Sequence, residues 1–271
     1  MMFEKYLNRD GAPFGSSAWE AIDAAVVGAA RSQLTGRKVL HVEGTFGLGL
    51  KAIPRNDAPV EQKGAGDVAV MSSAVLPLAM LQGGFSLGMR DLAAFEQSGL
   101  PLDVAAPAEA AIAVARQEDA LIFGGSKPLG MQGLLNAAGS HKMELKNWDK
   151  VGTAADDVIQ AVTRLDDAGF HGPYTLALNQ RLHNLLLRCY PQGVLTELEH
   201  VRQIVGDAVV KSAAIAEGGV LIASGKQYAS IILGQDLVTG LVGPEGAGYR
   251  FIVFESLAVR IIRPDAIVVL K

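Results

Sequence analysis

The sequence predicts a mixed α+β fold whose helices and strands are not ordered as a simple βαβ repeat. Stretches starting near Ser17, Ala106 and Thr153 carry apolar residues at helical period. The last third is instead a succession of short apolar runs of strand length. Between them, from Leu50 to about Ser86, neither pattern persists. A chain of 271 residues, 49% of them hydrophobic, suffices for one large domain or two small lobes with a packed core.

The first helix reads from Ser17 to Thr35. Trp19, Ile22, Val26, Ala29, Ala30 and Gln33 recur at its period, Ser17 and Glu20 have capping-box spacing, and Gly36 ends it. Lys38 to Glu43 alternates as a strand does, and Gly44 to Gly49 is a glycine-punctuated turn. Beyond it, Pro54, Pro59, Gly64 and Gly66 leave only extended pieces. Such a two-stranded excursion cannot bury its own faces and must lie on a neighbour.

A strong helix follows from Ala106 to Phe123, with Asp103 just upstream and Pro107 at its start. Ala108, Ala111, Ile112, Ala115, Asp119 and Ile122 share one face. Gly124 to Gly139 reads as a loop. Thr153 opens another helix, with Asp156 at box spacing and Gly169 as terminator. Tyr174 to Leu178 is a strand, Asn179 caps a helix bearing Leu182, Leu185, Leu186 and Cys189, and Thr196 to Ile204 is a short helix. Strands are expected at Ala208–Ser212, Val220–Ser224, Ser230–Leu233, Leu237–Val242, Tyr249–Ile262 and Ala266–Leu270.

Composition removes several function classes. With 24 basic against 28 acidic residues, a formal charge of −4 lacks the basic footprint of a protein that coats nucleic-acid phosphates. A single cysteine excludes an internal disulfide framework or a Cys-rich zinc site and fits the reducing cytosol; Cys189 reads as core or interface filler. The uncharged run Val68 to Met89 is long enough to span a bilayer, but Pro77, Gln82, Gly83, Gly84 and Gly88 interrupt it. Met1 to Gly15 carries Glu4, Lys5, Arg9 and Asp10 and no apolar stretch of a signal peptide. Only 19% of residues are charged, so other copies of the chain are the expected cover for its surface. Obligate contacts of that kind bury about 2,000 Å² or more.

The chemistry inventory is thin. Gly84-Phe85-Ser86-Leu87-Gly88 matches the nucleophile elbow of serine hydrolases, which would make Ser86 a nucleophile; the other reading is a glycine-flanked strand end. Such a hydrolase needs an ordered Asp and His downstream, yet His171, His183 and His200 sit in no recognisable post-strand loop. The histidines lack metal-ligand spacing, Gly124-Gly125-Ser126-Lys127 with Gly130 fails the phosphate-loop order, and no dinucleotide fingerprint occurs. No catalytic residue, metal site or cofactor is expected. The acidic pairs Glu118–Asp119, Asp156–Asp157 and Asp166–Asp167 read as solvated or cap-related helix-face neighbours.

An ordered set of strings is more specific. Gly36-Arg37-Lys38-Val39 with Val42-Glu43-Gly44 comes first, then Gln117-Glu118-Asp119 with Ile122-Phe123, and Gly130 with Gly133-Leu134-Leu135. Gly172-Pro173-Tyr174-Thr175-Leu176, Leu233-Gly234-Gln235-Asp236-Leu237, Phe254-Glu255-Ser256-Leu257 and Pro264-Asp265-Ala266-Ile267 follow. This set closely resembles the encapsulin family, the linocin-type bacteriocin or encapsulating shell proteins that share the fold of tailed-phage major capsid proteins. The match is weakest across Leu50 to Gly83.

The resemblance implies a shell subunit and not an enzyme. Residues 1–49 would be the N-terminal helix and the start of a peripheral domain, and 50–86 an extended E-loop. Residues 87–171 would be the peripheral domain with its spine helix, 172–242 an axial domain, and 243–271 return strands. Members self-assemble into icosahedral cytoplasmic shells around peroxidases or ferritin-like or hemerythrin-like iron proteins, with no membrane or nucleic-acid partner. Their N-terminal helix and the following strand dock a C-terminal targeting peptide of the cargo. By resemblance Arg37 is a docking residue, Trp19 and Ile22 read either as its apolar wall or as plain core contacts, and His41 stands where several relatives have an acid. The segment Val201 to Val209 corresponds to a loop around the five-fold pore, making Val205, Gly206 and Asp207 pore candidates; a plain Gly206-Asp207 turn is the other reading. A tailed-phage capsid protein is the competitor within the fold, but it usually carries a long N-terminal scaffolding region.

Overall fold

A computed structural model describes residues 4–55, 58–63, 69–72, 74–191 and 193–271. In chain order the elements begin with α1 (Ser16–Gln33), β1 (His41–Glu43), β2 (Ala52–Pro54), β3 (Ala58–Lys63), β4 (Ala69–Ser72), β5 (Val75–Pro77) and β6 (Ala79–Gly88). Next come α2 (Met89–Ser98), α3 (Ala105–Gly124), β7 (His141–Met143), α4 (Thr153–Asp167), β8 (Tyr174–Leu178), α5 (Gln180–Leu185) and α6 (Glu197–Val205). The chain closes with β9 (Gly206–Lys211), β10 (Gly219–Ala223), β11 (Ala229–Glu245), β12 (Gly248–Ile261) and β13 (Ile267–Leu270).

Strands that are apolar at nearly every position are covered on both faces, and β8, β10 and β13 are buried along their whole length. They form the middle of a sheet ordered β7-β13-β10-β8-β9. Leu176, Leu221 and Val268 point to one side, where Val158 and Leu165 of α4 and Val201 of α6 cover them. Ala177, Val220 and Val269 point to the other, where Ile122 and Phe123 of α3 meet them. A second sheet, ordered β1-β11-β12-β6, packs Phe85, Phe251 and Val253 against α1 and the first half of α3. The long helix α3 is therefore shared between both sheets.

Several local expectations are corrected. Ser17 and Glu20 make no capping box: the N-cap of α1 is Gly15, whose N–H is held by Glu96 from α2. Thr153 is likewise not a cap, because the N–H groups of Gly152 and Ala155 donate to Glu197 Oε1 at 2.8 and 3.1 Å. Gly36 does not end α1 in a left-handed conformation but opens a 3-10 turn, so the strand expected from Lys38 is only His41–Glu43. The excursion is two-stranded as expected, β2 with β5 and β3 with β4, but its last part is β6, paired with β12 along its whole length. Gly64 and Gly66 lie outside the described residues. The two strands expected at Ser230–Leu233 and Leu237–Val242 are one strand, β11, with bulges between Leu233 and Val238. Cys189 is exposed and fills no core. Among the described residues no helix is long and apolar enough to cross a membrane.

A candidate docking face around Arg37 and His41

Four of the strings that carry the resemblance meet at one guanidinium. Arg37 lies in the turn Gly36–Lys38, directly after α1. Its Nε and Nη2 donate to Glu118 Oε1 and Oε2 of α3 at 2.8 and 2.7 Å, a bidentate pair. Nη1 donates to Asp236 Oδ1 of β11 at 2.8 Å, and Nη2 also to Glu255 Oε2 of β12 at 2.9 Å. The Glu118 and Glu255 side chains are 0% and 1% exposed, whereas Asp236 is 50% exposed and connects the cluster to solvent.

The electrostatics follow from that geometry. Burial pulls the Arg37 guanidinium down, but the hydrogen bonds and charge of Glu118, joined by Asp236, outweigh it and hold the group above its ordinary range. For Glu255, burial and then the charge and hydrogen bonding of Glu118 push the carboxyl up to about 9, with Asp236 adding to the rise against the opposing pull of Arg37. Beside this cluster, the Asp119 carboxylate accepts from the Thr35 N–H at 2.9 Å, the Thr35 hydroxyl at 2.6 Å and the Gly36 N–H at 2.8 Å. A Cβ on Gly36 would stand 2.4 Å from Ile122 Cδ1, so glycine lets the turn seat on α3.

Past the turn, His41 opens β1 and is exposed. Its strand pairs in parallel with β11, His41 opposite Ser230, and is the outer strand of its sheet. An edge of this kind presents backbone donors and acceptors to an extended peptide. Next to it is an open recess of about 340 Å³ lined by Lys38, His41, Thr175, Asp207, Ser224 and Lys226, among others. The recess unites His41, expected in docking, with Asp207, expected at a pore. Asp207 Oδ2 accepts from Ser224 Oγ at 2.8 Å and Thr175 Oγ1 at 3.2 Å. Gly206 is the left-handed C-cap of α6, with φ 73°, and Val205 is buried, so Val205 lines no opening in this protomer.

Trp19 and Ile22 do not form a wall open to a peptide. Ile22 is fully buried and Trp19 is 8% exposed, within a cluster that includes Phe14, Val114 and Phe251. The helical period that singled them out is the period that turns them inward. Nor is Ser86 at an elbow: it lies within β6, and its hydroxyl donates to Glu245 Oε2 at 2.6 Å across the sheet. Among the described residues no group of His, Cys, Asp or Glu is arranged to hold a metal ion.

Glu118 and Asp119 are buried and not solvated, and Asp157 likewise accepts from the Trp148 indole N–H at 2.8 Å. The sequence held a signal for the first pair. Asp119 falls on the apolar face shared by Ala111, Ala115 and Ile122, and an acid there needs a dedicated partner. Glu255 and Asp236 gave no such signal, since only the tertiary fold brings β11 and β12 to Arg37.

Residues 4–258 match the family Linocin_M18, described as encapsulating protein for peroxidase. The type 1 encapsulin shell protein EncA of Myxococcus xanthus is 31% identical over 269 residues, which cover 96% of this chain and 94% of that one. The chain belongs to the encapsulin family. Its fold is similar to that in the crystal structure of a virus-like particle from Pyrococcus furiosus, with a TM-score of 0.74 at 23% identity over 94% of this chain and 99% of that one. The capsid of Myoviridae phage XM1 gives a TM-score of 0.60 at 13% identity, covering 86% of this chain and 90% of the phage chain. This encapsulin therefore has the phage-capsid fold, and the strings that first pointed to the family include those that build the Arg37 cluster.

Proposed function

We propose that this encapsulin protomer closes with its copies into an icosahedral cytoplasmic shell that encloses a cargo enzyme, a peroxidase or a ferritin-like iron protein, and does no bond chemistry itself. The capsid fold over nearly the whole chain carries this reading. Apolar side chains left outside support it: Val194 is 97% exposed, Val242 60% and Phe46 59%. In this reading the ribbon of β2 to β5, within residues 50–86, is the loop that reaches a neighbour while β6 stays in the protomer's own sheet, and α3 is the spine of a peripheral domain. Residues 172–242 supply most of the axial domain, which is completed by β7, α4 and the last strand β13, whereas β11 belongs with β1, β12 and β6 in the peripheral sheet.

The cargo's C-terminal peptide is assigned to the face around β1. His41 supports this because it is exposed at the start of an outer strand, whereas Arg37 serves the face by fixing the turn that precedes it. Purification of native particles followed by mass spectrometry tests both parts. Closed hollow particles carrying a peroxidase or iron protein are expected; a small oligomer without cargo would refute the reading. His41→Asp is expected to change the amount of cargo per particle while leaving particle size unchanged.

A further inference from the structure

The Arg37 cluster contains more acid than its one cation can neutralise. Three carboxyl groups, from Glu118, Asp236 and Glu255, contact the same guanidinium, and two of them are buried. Glu118 takes the bidentate face of Arg37, leaving Glu255 a single bond through Oε2. Glu255 Oε1 is buried and has no hydrogen-bond partner among the described residues. A charged carboxylate left with such an oxygen is costly in a core, whereas a carboxylic acid places no charge there. The groups that face Glu255 are Arg37 from the turn after α1, Glu118 from α3 and Asp236 from β11. On β6 its register partner is the uncharged Leu81.

We propose that this cluster is a one-proton latch: Glu255 is a neutral carboxylic acid in the folded protomer, and loss of its proton loosens the junction of α1, α3 and the β11–β12 hairpin. The position of the carboxyl, pushed up to about 9, places that loss at alkaline pH. In the unfolded chain the same group ionises at about 4.3, so folding takes up a proton between these limits. The latch's contribution to stability is greatest below the unfolded value, declines as pH rises, and reaches its floor once pH passes the folded value.

Infrared difference spectra of the purified protein in its native assembly, wild type minus Glu255→Gln, test the latch. A carbonyl band of a protonated carboxylic acid is expected near neutral pH and is lost with a midpoint near 9. Glu255→Gln keeps the shape without the charge, so its melting temperature should gain on wild type as pH rises, by roughly 5 °C or more. No acid band near neutral pH, or a melting difference that does not change with pH, would overturn the proposal. If the variant fails to fold, the acid band of the wild type is titrated alone, and its absence overturns the proposal equally. The band is a property of the protomer, so a failure of the shell reading would leave this result intact and separable.

Discussion

Arg37 joins the carboxyl groups of Glu118, Asp236 and Glu255, and Arg37→Ala would leave the buried Glu118 carboxylate without its counter-charge. Removing one partner of a buried ion pair costs about 3–5 kcal/mol, so the urea midpoint should fall sharply and soluble particles should be lost. Arg37→Lys keeps the charge but not the fork that binds Glu118 at both oxygens, and should recover only part of that loss. At Asp207 the prediction concerns passage and not stability. We propose that its exposed carboxylate repeats around a symmetry axis and favours cations, so Asp207→Lys should slow iron(II) entry into loaded shells without altering their size. Unchanged uptake would remove Asp207 from the pore. At this scale the sequence showed that Arg37 and Glu118 belong to marked strings but not that they touch, because 81 residues separate them and no local rule pairs them.

Helix ends and turns decide the next scale. Thr196 and Glu199 form a reciprocal capping box on α6, and Thr196→Ala should cost about 1 kcal/mol in thermal or urea unfolding. Gly36→Ala places a methyl group against Ile122 in a filled core and should cost about 1–3 kcal/mol. A neutral result would show that the Ile122 side chain can turn away from the added methyl group. Helices with a deep apolar stripe, α3 and α4, and strands buried on both faces, β8 and β10, were legible because burial writes itself into composition. The short α2 carries no apolar stripe to mark it, since only Leu92 is buried along it, and β7 escaped because it is a three-residue edge strand defined by its partner β13. Strand β11 read as two because bulges around Gln235 break its alternation. The false capping boxes at Ser17 and Thr153 have one cause. Side chains from other elements, Glu96 and Glu197, satisfy those N-termini, and spacing within a segment cannot reveal them.

For the whole molecule, low charge and a ribbon with nothing of its own to lie on led to the expectation that copies of the chain cover one another. The fold agrees with that logic: its two sheets share α3 as a common wall, so the protomer's interior is complete while large apolar side chains remain on its outside. Such residues, with Val194 the most exposed, are the positions at which contact with neighbours would remove apolar surface from water. Replacing Val194 with aspartate should therefore leave the protomer folded but weaken assembly, seen as smaller species in light scattering. The central claim is a closed container built from this one chain. Negative-stain electron microscopy of the purified protein at its native concentration tests it most directly. Uniform hollow particles of megadalton mass are expected, whereas a monodisperse single protomer would contradict the account.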